Sequence, residues 1–325
     1  MKTQPLEFEK PLIELERKLD DIKRHSRASD INLDPEVRRI SAKIEEMKKD
    51  IYERLTAWQR VQIARHPARP FMLDYVSQAF TDFIELHGDR LFGDDKSMPG
   101  GLATIDGIRC VVIGHQKGRD LKENLKRNFG SAHPEGYRKA MRLMRLAEKF
   151  RLPVVSLIDT PGAYPGVGAE ERHISEAIAA NLREMMILQT PIITVIIGEG
   201  GSGGALGIGV ADRVLMLENA YYSVISPEGC AAILWKHRSH APEAAEALKL
   251  TARDLAQMQL VDEVIPESAG GAHNSHEETA ANLKRVVVEH LREISKLPLE
   301  TLLAQRYQKF RKIGEFTGDG NGSGA

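Results

Sequence analysis

The sequence is poor in cysteine, in aromatic residues and in net charge, and each shortage excludes a class of protein. Its 325 residues include two cysteines, and aromatic residues make up 6%. Cys110 and Cys230 form no C-x-x-C pair, so buried free thiols are predicted rather than a disulfide or a metal site. The net charge is −1, which gives no global attraction to nucleic acid or to a membrane surface.

Long apolar runs are also missing. The N-terminal stretch M-K-T-Q-P-L-E-F-E-K lacks the apolar core of a signal peptide, and no run approaches the ~20 apolar residues that span a bilayer. We therefore expect a cytoplasmic protein that does not enter a membrane. A hydrophobic share of 42% and a charged share of 28% are typical of a globular protein.

Three regions differ in their residue patterns. Residues 1–66 predict an N-terminal helical hairpin, because apolar residues recur at steps of three and four in two stretches. Residues 67–295 alternate short apolar runs with helical stretches, which predicts an α/β domain, and residues 276–311 are predicted to be helical. Residues 296–325 are assigned to a C-terminal helix and a flexible tail ending in G-D-G-N-G-S-G-A. The two apolar stripes are Phe8, Leu12, Leu15, Leu19 and Ile22, then Val37, Ile40, Ile44, Met47, Ile51, Leu55 and Trp58.

Four continuous apolar runs, at 111–114, 154–159, 192–197 and 213–217, predict strands that are buried on both faces. Two of them share a plan of strand, glycine-rich loop and helix, which is a weak internal repeat. The first loop lies in D-T-P-G-A-Y-P-G-V-G-A-E-E, and Asp159 before it could cap the turn or touch a ligand. The second loop is G-E-G-G-S-G-G-A-L-G-I-G, from Gly198 to Gly209.

A dinucleotide site is one interpretation of the second loop. Gly198, Gly200 and Gly203 spell G-x-G-x-x-G after a strand, and Glu218 stands about 20 residues further on. The segment between them leaves room for only a short helix, which weighs against this interpretation. A P-loop is excluded because no Lys-Ser/Thr pair follows the glycines.

A hydrolase is a second interpretation, because Gly200, Ser202 and Gly204 spell the G-x-S-x-G of a nucleophile elbow. A hydrolase also needs a histidine after the serine, and the candidates all lie in polar segments where we expect them to be exposed. Ser202 is more simply a small residue in a turn. The candidate histidines are His237, His240, His273, His276 and His290.

An oxyanion site is the third interpretation. A Gly-Gly-Ala run at Gly203, Gly204 and Ala205 presents free N–H groups at a helix N-terminus with little side chain in the way. The competing explanation is close packing of a short helix against a neighbour. From these letters alone the two explanations stand about even.

The long motifs resemble the α subunits of bacterial acetyl-CoA carboxylase carboxyltransferases. The resemblance rests on D-T-P-G-A-Y-P-G-V-G-A-E-E-R, on G-E-G-G-S-G-G-A-L-G-I-G-V-A-D and on S-V-I-S-P-E-G-C-A-A-I-L-W-K. It extends to E-F-E-K-P-L, A-R-H-P-A-R-P, G-H-Q-K-G-R-D and R-N-F-G-S-A-H-P-E-G-Y-R-K-A, and so covers nearly the whole chain except the glycine-rich tail.

The resemblance implies a crotonase-like spiral of β-β-α units and a carboxyl-transfer activity. The family moves carboxylate from carboxybiotin on a carrier protein to acetyl-CoA, giving malonyl-CoA for fatty acid biosynthesis. Oxyanion stabilisation by backbone amides suits this reaction, because no side-chain nucleophile is required. Partners implied are a β subunit in an α2β2 heterotetramer, the biotin carboxyl carrier protein, and biotin carboxylase in a larger ATP-binding complex.

The resemblance also assigns site residues. The amides of Gly203, Gly204 and Ala205 would hold the ureido oxygen of biotin, while the β subunit supplies a second oxyanion hole and the zinc ribbon, so no metal is expected in this chain. The first loop, Gly162, Ala163, Tyr164, Pro165 and Gly166, would line the same cavity unless it is only a tight turn. A basic cluster could hold the phosphates of CoA, or could be a solvated helix face; it comprises Lys117, Arg119, Lys122, Lys126 and Arg127.

Overall fold

The computed structural model describes residues 6–29 and 33–314, in which helices surround one mixed β-sheet. The strands are β1 Thr81–Glu85, β2 Gly100–Ile105, β3 Ile108–Gly114, β4 Val154–Thr160, β5 Ile192–Gly201, β6 Arg213–Leu217, β7 Tyr221–Ser223 and β8 Glu263–Ile265. The helices are α1 Lys10–Ser29, α2 Asp34–Glu53, α3 Ala57–Ala64, α4 Met72–Ala79, α5 Leu121–Lys126, α6 Pro134–Phe150, α7 Val167–Glu171, α8 Ile174–Ile187, α9 Ser202–Leu206, α10 Pro227–Leu234, α11 Ala241–Leu248, α12 Ala252–Gln257, α13 His276–Ile294 and α14 Leu299–Arg311.

The sheet runs in the order β1-β2-β3-β4-β5-β6-β8, and β7 pairs with the end of β5. The first two pairings are antiparallel, and all others are parallel. Every residue of β4 and β5 is buried, as their continuous apolar sequences predicted. The central parallel strands therefore form the core, and their carboxyl ends lie along one edge of the sheet.

The N-terminal hairpin has a small core of its own. Leu12, Leu19 and Ile44 are its buried centre, and other members of the two predicted stripes pack around them. The second helix is shorter than the pattern predicted, because α2 ends at Glu53 and Thr56 caps a separate helix, α3. Trp58 therefore packs with α3 against the α/β domain rather than with the hairpin.

The last helix, α14, is anchored to the domain by Arg306. This side chain is 1% exposed, and its guanidinium donates to both carboxylate oxygens of Asp212 at 2.8 and 2.7 Å. It also donates to the carbonyls of Met185, Leu188 and Thr190 at the end of α8. Residues 276–311 are helical as predicted, with a break after α13, and both helices pack on the central core.

Several sequence predictions concern single features. Cys110 and Cys230 are free and buried, as expected. Among the described residues, we find no helix long and apolar enough to cross a membrane. The predicted flexible tail at 318–325 lies outside the described residues.

Candidate active site at the ends of strands β4 and β5

The two glycine-rich loops meet where β4 and β5 end. Thr160 at the end of β4 is paired with Gly200 near the end of β5, so both loops leave the same edge of the sheet. The first loop leads into α7, and the second leads directly into α9. In parallel sheets, this carboxyl edge is where ligands commonly bind.

Two glycines of the second loop are required by the closeness of the first. A Cβ atom on Gly201 would overlap the backbone of Pro161, and one on Gly204 would overlap the backbone of Gly162 and Ala163. Gly204 itself is buried. Part of the glycine richness is therefore explained by contact between the loops, as the packing interpretation required.

Tyr137 makes a hydrogen bond to the N-terminal turn of α9. The buried tyrosine hydroxyl donates to the carbonyl oxygen of Gly204 at 3.1 Å. In a trans peptide the C=O and the following N–H point in opposite directions, so this bond also fixes the N–H of Ala205 away from Tyr137. The early N–H groups of a helix have no partner within it, so the arrangement presents oriented donors.

The outer face of the loops is open. A Cβ on Gly203 would come no closer than 3.8 Å to another residue, and one on Gly162 would meet nothing within 4 Å. Ser202 is exposed, and its backbone is left-handed with φ of 52°. A side chain at Gly203 or at Gly162 would therefore meet open space, unlike one at Gly204.

The remaining residues of the first loop differ in burial and in their contacts. Tyr164 is half-buried, and its ring lies against that of His133, with the centroids 4.1 Å apart and the planes tilted by 38°. Its amide donates to the carbonyl of Ala132. Ala163 and Gly166 are half-buried and Pro165 is exposed. Of the predicted loop residues, Gly162 and Ala163 lie against Gly204, one of the predicted amide donors.

Lys117 lies beneath the loops rather than on the surface. Its ammonium donates to Asp159 at the end of β4 (2.6 Å) and to Glu199 near the end of β5 (2.8 Å). Asp159 also accepts from the amide of Glu199, so its carboxylate links the ends of β4 and β5. Gly198 is needed here as well, because a Cβ would overlap the Asp159 carboxylate.

The electrostatics favour the charged forms of Glu199 and Lys117, whereas burial raises the pKa of Asp159. Burial raises the pKa of Glu199, but Lys117 and Arg65 outweigh it and lower that pKa to about 2. Burial alone would lower the pKa of Lys117. The charges of Asp159 and Glu199 have the larger effect, so the pKa is raised above its usual value. Arg65 donates to Glu199 and to Glu228, which extends the network to α10.

The predicted basic cluster is divided among different environments. Arg119 donates to the carbonyls of Pro67 and Arg69 and pairs with Asp74, while its guanidinium lies over the Phe71 ring. Arg127 donates to the carbonyl of Lys96. Lys122 and Lys126, on the six-residue helix α5, are exposed. Because Lys117 is half-buried and paired with Asp159 and Glu199, the cluster does not form one solvated helix face.

His115 is a buried polar residue that the motifs did not single out. Neither ring nitrogen has a hydrogen-bond partner, and the side chain is inaccessible to solvent. Burial, together with the charge of Lys117, lowers the pKa of His115 to about 3, and the nearby Gly204 carbonyl opposes this only partly. A neutral imidazole therefore lies beside the helix turn that carries the amide donors.

The structure gives the hydrolase interpretation no catalytic partner. Within the described ranges, Ser202 forms no hydrogen bond with a histidine. The expectation that all five later histidines are exposed is wrong for His273 and His290, whose side chains are 7% and 13% exposed. His273 lies against Glu9 and His290 lies against Glu263. Residues distant in the sequence therefore cover these two histidines, although their own segments are polar.

Comparison with known proteins identifies the family. Residues 5–314 match the family model described as acetyl co-enzyme A carboxylase carboxyltransferase-like. A carboxyl transferase subunit alpha of acetyl-coenzyme A carboxylase from Geobacillus sp. (strain WCH70) is 55% identical over 311 residues, 96% of this chain and 96% of that protein. Its counterpart from Geobacter metallireducens is 57% identical over 311 residues, 96% of this chain and 98% of that one. The chain belongs to this carboxyltransferase α-subunit family.

The fold comparison agrees. The chain superposes on the crystal structure of transcarboxylase 12S with a TM-score of 0.54 at 19% identity, covering 77% of this chain and 43% of that one. The predicted crotonase-like α/β fold class is confirmed. The predicted function, a carboxyltransferase α subunit of acetyl-CoA carboxylase and hence a transferase, is confirmed by the family matches, and neither the hydrolase nor the dinucleotide interpretation is supported.

Proposed function

We propose that this chain supplies one oxyanion hole of a carboxyltransferase, formed by the amides of Gly203, Gly204 and Ala205, for the ureido oxygen of biotin. When carboxybiotin is bound, it supplies the carboxylate that the methyl carbon of acetyl-CoA accepts. The observation that carries the proposal is the open space over Gly203 and Gly162, next to an α9 turn that Tyr137 orients.

The chain's own residues act by position. Fixed N–H donors stabilise negative charge that develops on an oxygen, and one such donor contributes a factor of 10²–10³ in rate. The amides need no proton transfer and no nucleophile, which agrees with the lack of a partner for Ser202 in the part of the chain that the structure describes. The first loop, with Ala163, Tyr164, Pro165 and Gly166, forms the wall that limits where biotin can enter.

The half-open site favours completion by another subunit. Relatives of this chain are named subunit alpha, which implies a beta subunit. We propose an α2β2 heterotetramer in which the β subunit binds the thioester oxygen of acetyl-CoA, served by the biotin carboxyl carrier protein and by biotin carboxylase. Free buried cysteines fit a reducing cytoplasm as its location. The complex would provide malonyl-CoA for fatty acid biosynthesis.

The test is reconstitution. This chain, a β subunit and biotinylated carrier protein are combined, and carboxyl transfer between malonyl-CoA and biotin is followed. We expect no turnover by either subunit alone and turnover by the mixture. Ser202→Ala should retain most of the activity, because the proposed donors are amides. Turnover by the isolated chain, or loss of turnover in Ser202→Ala, would contradict the proposal.

A further inference from the structure

A cluster of three metal-binding side chains lies away from the candidate active site. One donor atom each from Glu9, His66 and His273 lies within 4.8 Å of the other two. Glu9 precedes α1, His66 follows α3, and His273 precedes α13, so residues far apart in the chain converge. We propose that this cluster binds a divalent transition-metal ion, with Zn²⁺ as the reference ion.

The donor set suits such an ion. Two imidazoles and one carboxylate form a common zinc set when a water takes the fourth position. Ligands of one tetrahedral zinc lie about 3.4 Å apart, given Zn–N bonds of about 2.0–2.1 Å. The Glu9 oxygen and His273 Nε2 are already 3.3 Å apart. The other donor separations are within 4.8 Å, so His66 has to move by up to about 1.4 Å, which a change in its side-chain torsions can supply.

Protonation does not compete strongly with the ion. Burial lowers the pKa of His66 to about 4, with the charge of His273 adding to the effect. Burial raises the pKa of Glu9, but hydrogen bonds from His273 and Tyr52 outweigh it and lower the pKa. The ion would take the place of the proton that His273 Nε2 shares with Glu9. A neutral imidazole and an ionised carboxylate are the forms that bind metals.

The surroundings provide room and support. A cavity of about 200 Å³ is lined by the three residues together with Tyr52, Lys48 and Asn274, and it can hold an ion with a water. The Tyr52 hydroxyl donates to Glu9 at 2.5 Å, which orients the carboxylate as an outer-shell partner does. Lys48 is engaged with Glu16 at 3.1 Å, so it does not neutralise Glu9.

Two imidazole contacts bear on the proposal. His273 Nδ1 is buried without a partner in the described residues, so the pair of histidines is not satisfied by the protein alone. The Ala68 amide donates to His66 Nδ1 at 3.2 Å. Coordination through His66 Nε2 needs a proton on Nδ1, so this long contact breaks when the ion binds.

The ion would join the hairpin to the domain. The hairpin core around Leu12 is separate from the main core, whereas Glu9 and Tyr52 reach His66 and His273 of the domain side. An ion that binds only the folded state stabilises it by an amount that grows with the logarithm of the ratio of ion concentration to Kd.

The test uses the full chain alone, so that every bound ion belongs to it. After treatment with a chelator, binding of Zn²⁺ is measured by equilibrium dialysis and thermal melting. We expect one ion per chain and a raised Tm. Glu9→Gln and His273→Gln should abolish the stoichiometric ion, and Tyr52→Phe should weaken binding by about 10-fold. His237→Gln removes an exposed histidine elsewhere and should bind as the wild type does.

X-ray absorption of the wild-type zinc complex keeps the test independent of variant folding. We expect nitrogen and oxygen ligands at about 2.0–2.2 Å with imidazole scattering and no sulfur. Less than stoichiometric binding to the wild type, sulfur coordination, or unchanged binding in both Glu9→Gln and His273→Gln would overturn the proposal.

Discussion

The ammonium of Lys117 donates to the carboxylate of Asp159 at 2.6 Å. The lysine side chain is 13% exposed and the aspartate side chain is 2% exposed. Glu199 accepts from the same ammonium. Because these carboxylates stand at the ends of β4 and β5, one cation links the strands that lead into both loops of the site.

Removing this cation should destabilise the protein strongly. Lys117→Met leaves two buried carboxylates without their shared partner, and breaking a buried pair in this way costs about 3–5 kcal/mol. Thermal or denaturant unfolding measures the loss. Adding Asp159→Asn to Lys117→Met should recover part of it, because one uncompensated charge is removed. The exposed Lys122→Met is the control, and a Lys117→Met variant as stable as this control would show that the cluster contributes nothing.

The two adjacent glycines of α9 should respond differently to alanine. In Gly204→Ala the new Cβ meets the Gly162–Ala163 backbone, so the loops must separate, and both Tm and turnover should fall. Gly203→Ala has space, so its Tm should stay near that of the wild type while the KM for biotin carrier rises. Gly204 does not face an open cavity in its side-chain direction, because the first loop lies against it. Equal Tm values for the two alanine variants would contradict this packing.

Tyr137→Phe should separate positioning from binding. Loss of the hydroxyl frees the Gly204 carbonyl, and with it the orientation of the Ala205 amide. We expect kcat to fall by about 10-fold, less than for loss of a whole oxyanion donor, with the KM for acetyl-CoA unchanged. A buried carbonyl left unpaired also costs about 1–3 kcal/mol of stability. A lowered Tm with unchanged kcat would assign Tyr137 a structural role only.

Acid should destabilise the chain before its carboxylates titrate. The pKa of His115 is lowered to about 3 and that of His66 to about 4, against 6.5 for an ordinary histidine. The unfolded chain therefore binds more protons below pH 6.5, so stability is full above that pH and falls as the pH drops. Each histidine contributes at most about 2 kcal/mol of loss at pH 5.

His115→Phe provides the measurement. The variant lacks one titrating group, so its Tm should fall less than that of the wild type between pH 7.5 and pH 5. His237→Gln, which removes an exposed histidine, should follow the wild type. Parallel curves of Tm against pH for His115→Phe and the wild type would show that protonation of His115 does not lower the stability of the folded protein.

The exposed lysines of α5 test the remaining basic cluster. Lys122→Glu combined with Lys126→Glu should raise the KM for the CoA substrate and reduce its dependence on salt, because phosphates are attracted by exposed cations only where screening is weak. The Tm should be unchanged. An unchanged KM at low salt would leave α5 as a solvated helix.

The sequence predicted the central strands well, because a strand buried on both faces must be apolar throughout. The runs at 154–159 and 192–197 correspond to β4 and β5 with the ends extended. It did not predict the role of Lys117, since its partners depend on which strands are neighbours in the sheet. The sequence also places Arg119 and Lys122 in one basic cluster, because neighbouring charges in the sequence do not reveal the directions of their side chains. In the structure Arg119 instead binds the 67–74 segment.

The anchoring of α14 by Arg306 has a consequence for biosynthesis. Asp212 and the carbonyls that end α8 are made about a hundred residues before their partner, as the separations within the bonded pairs show. Domains generally acquire structure as the chain emerges, from the N-terminus onward. Here the buried Asp212 carboxylate stays without its Arg306 partner until residue 306 has been made, so a ribosome-stalled chain that stops before residue 306 should remain open to protease at the α8–β6 region.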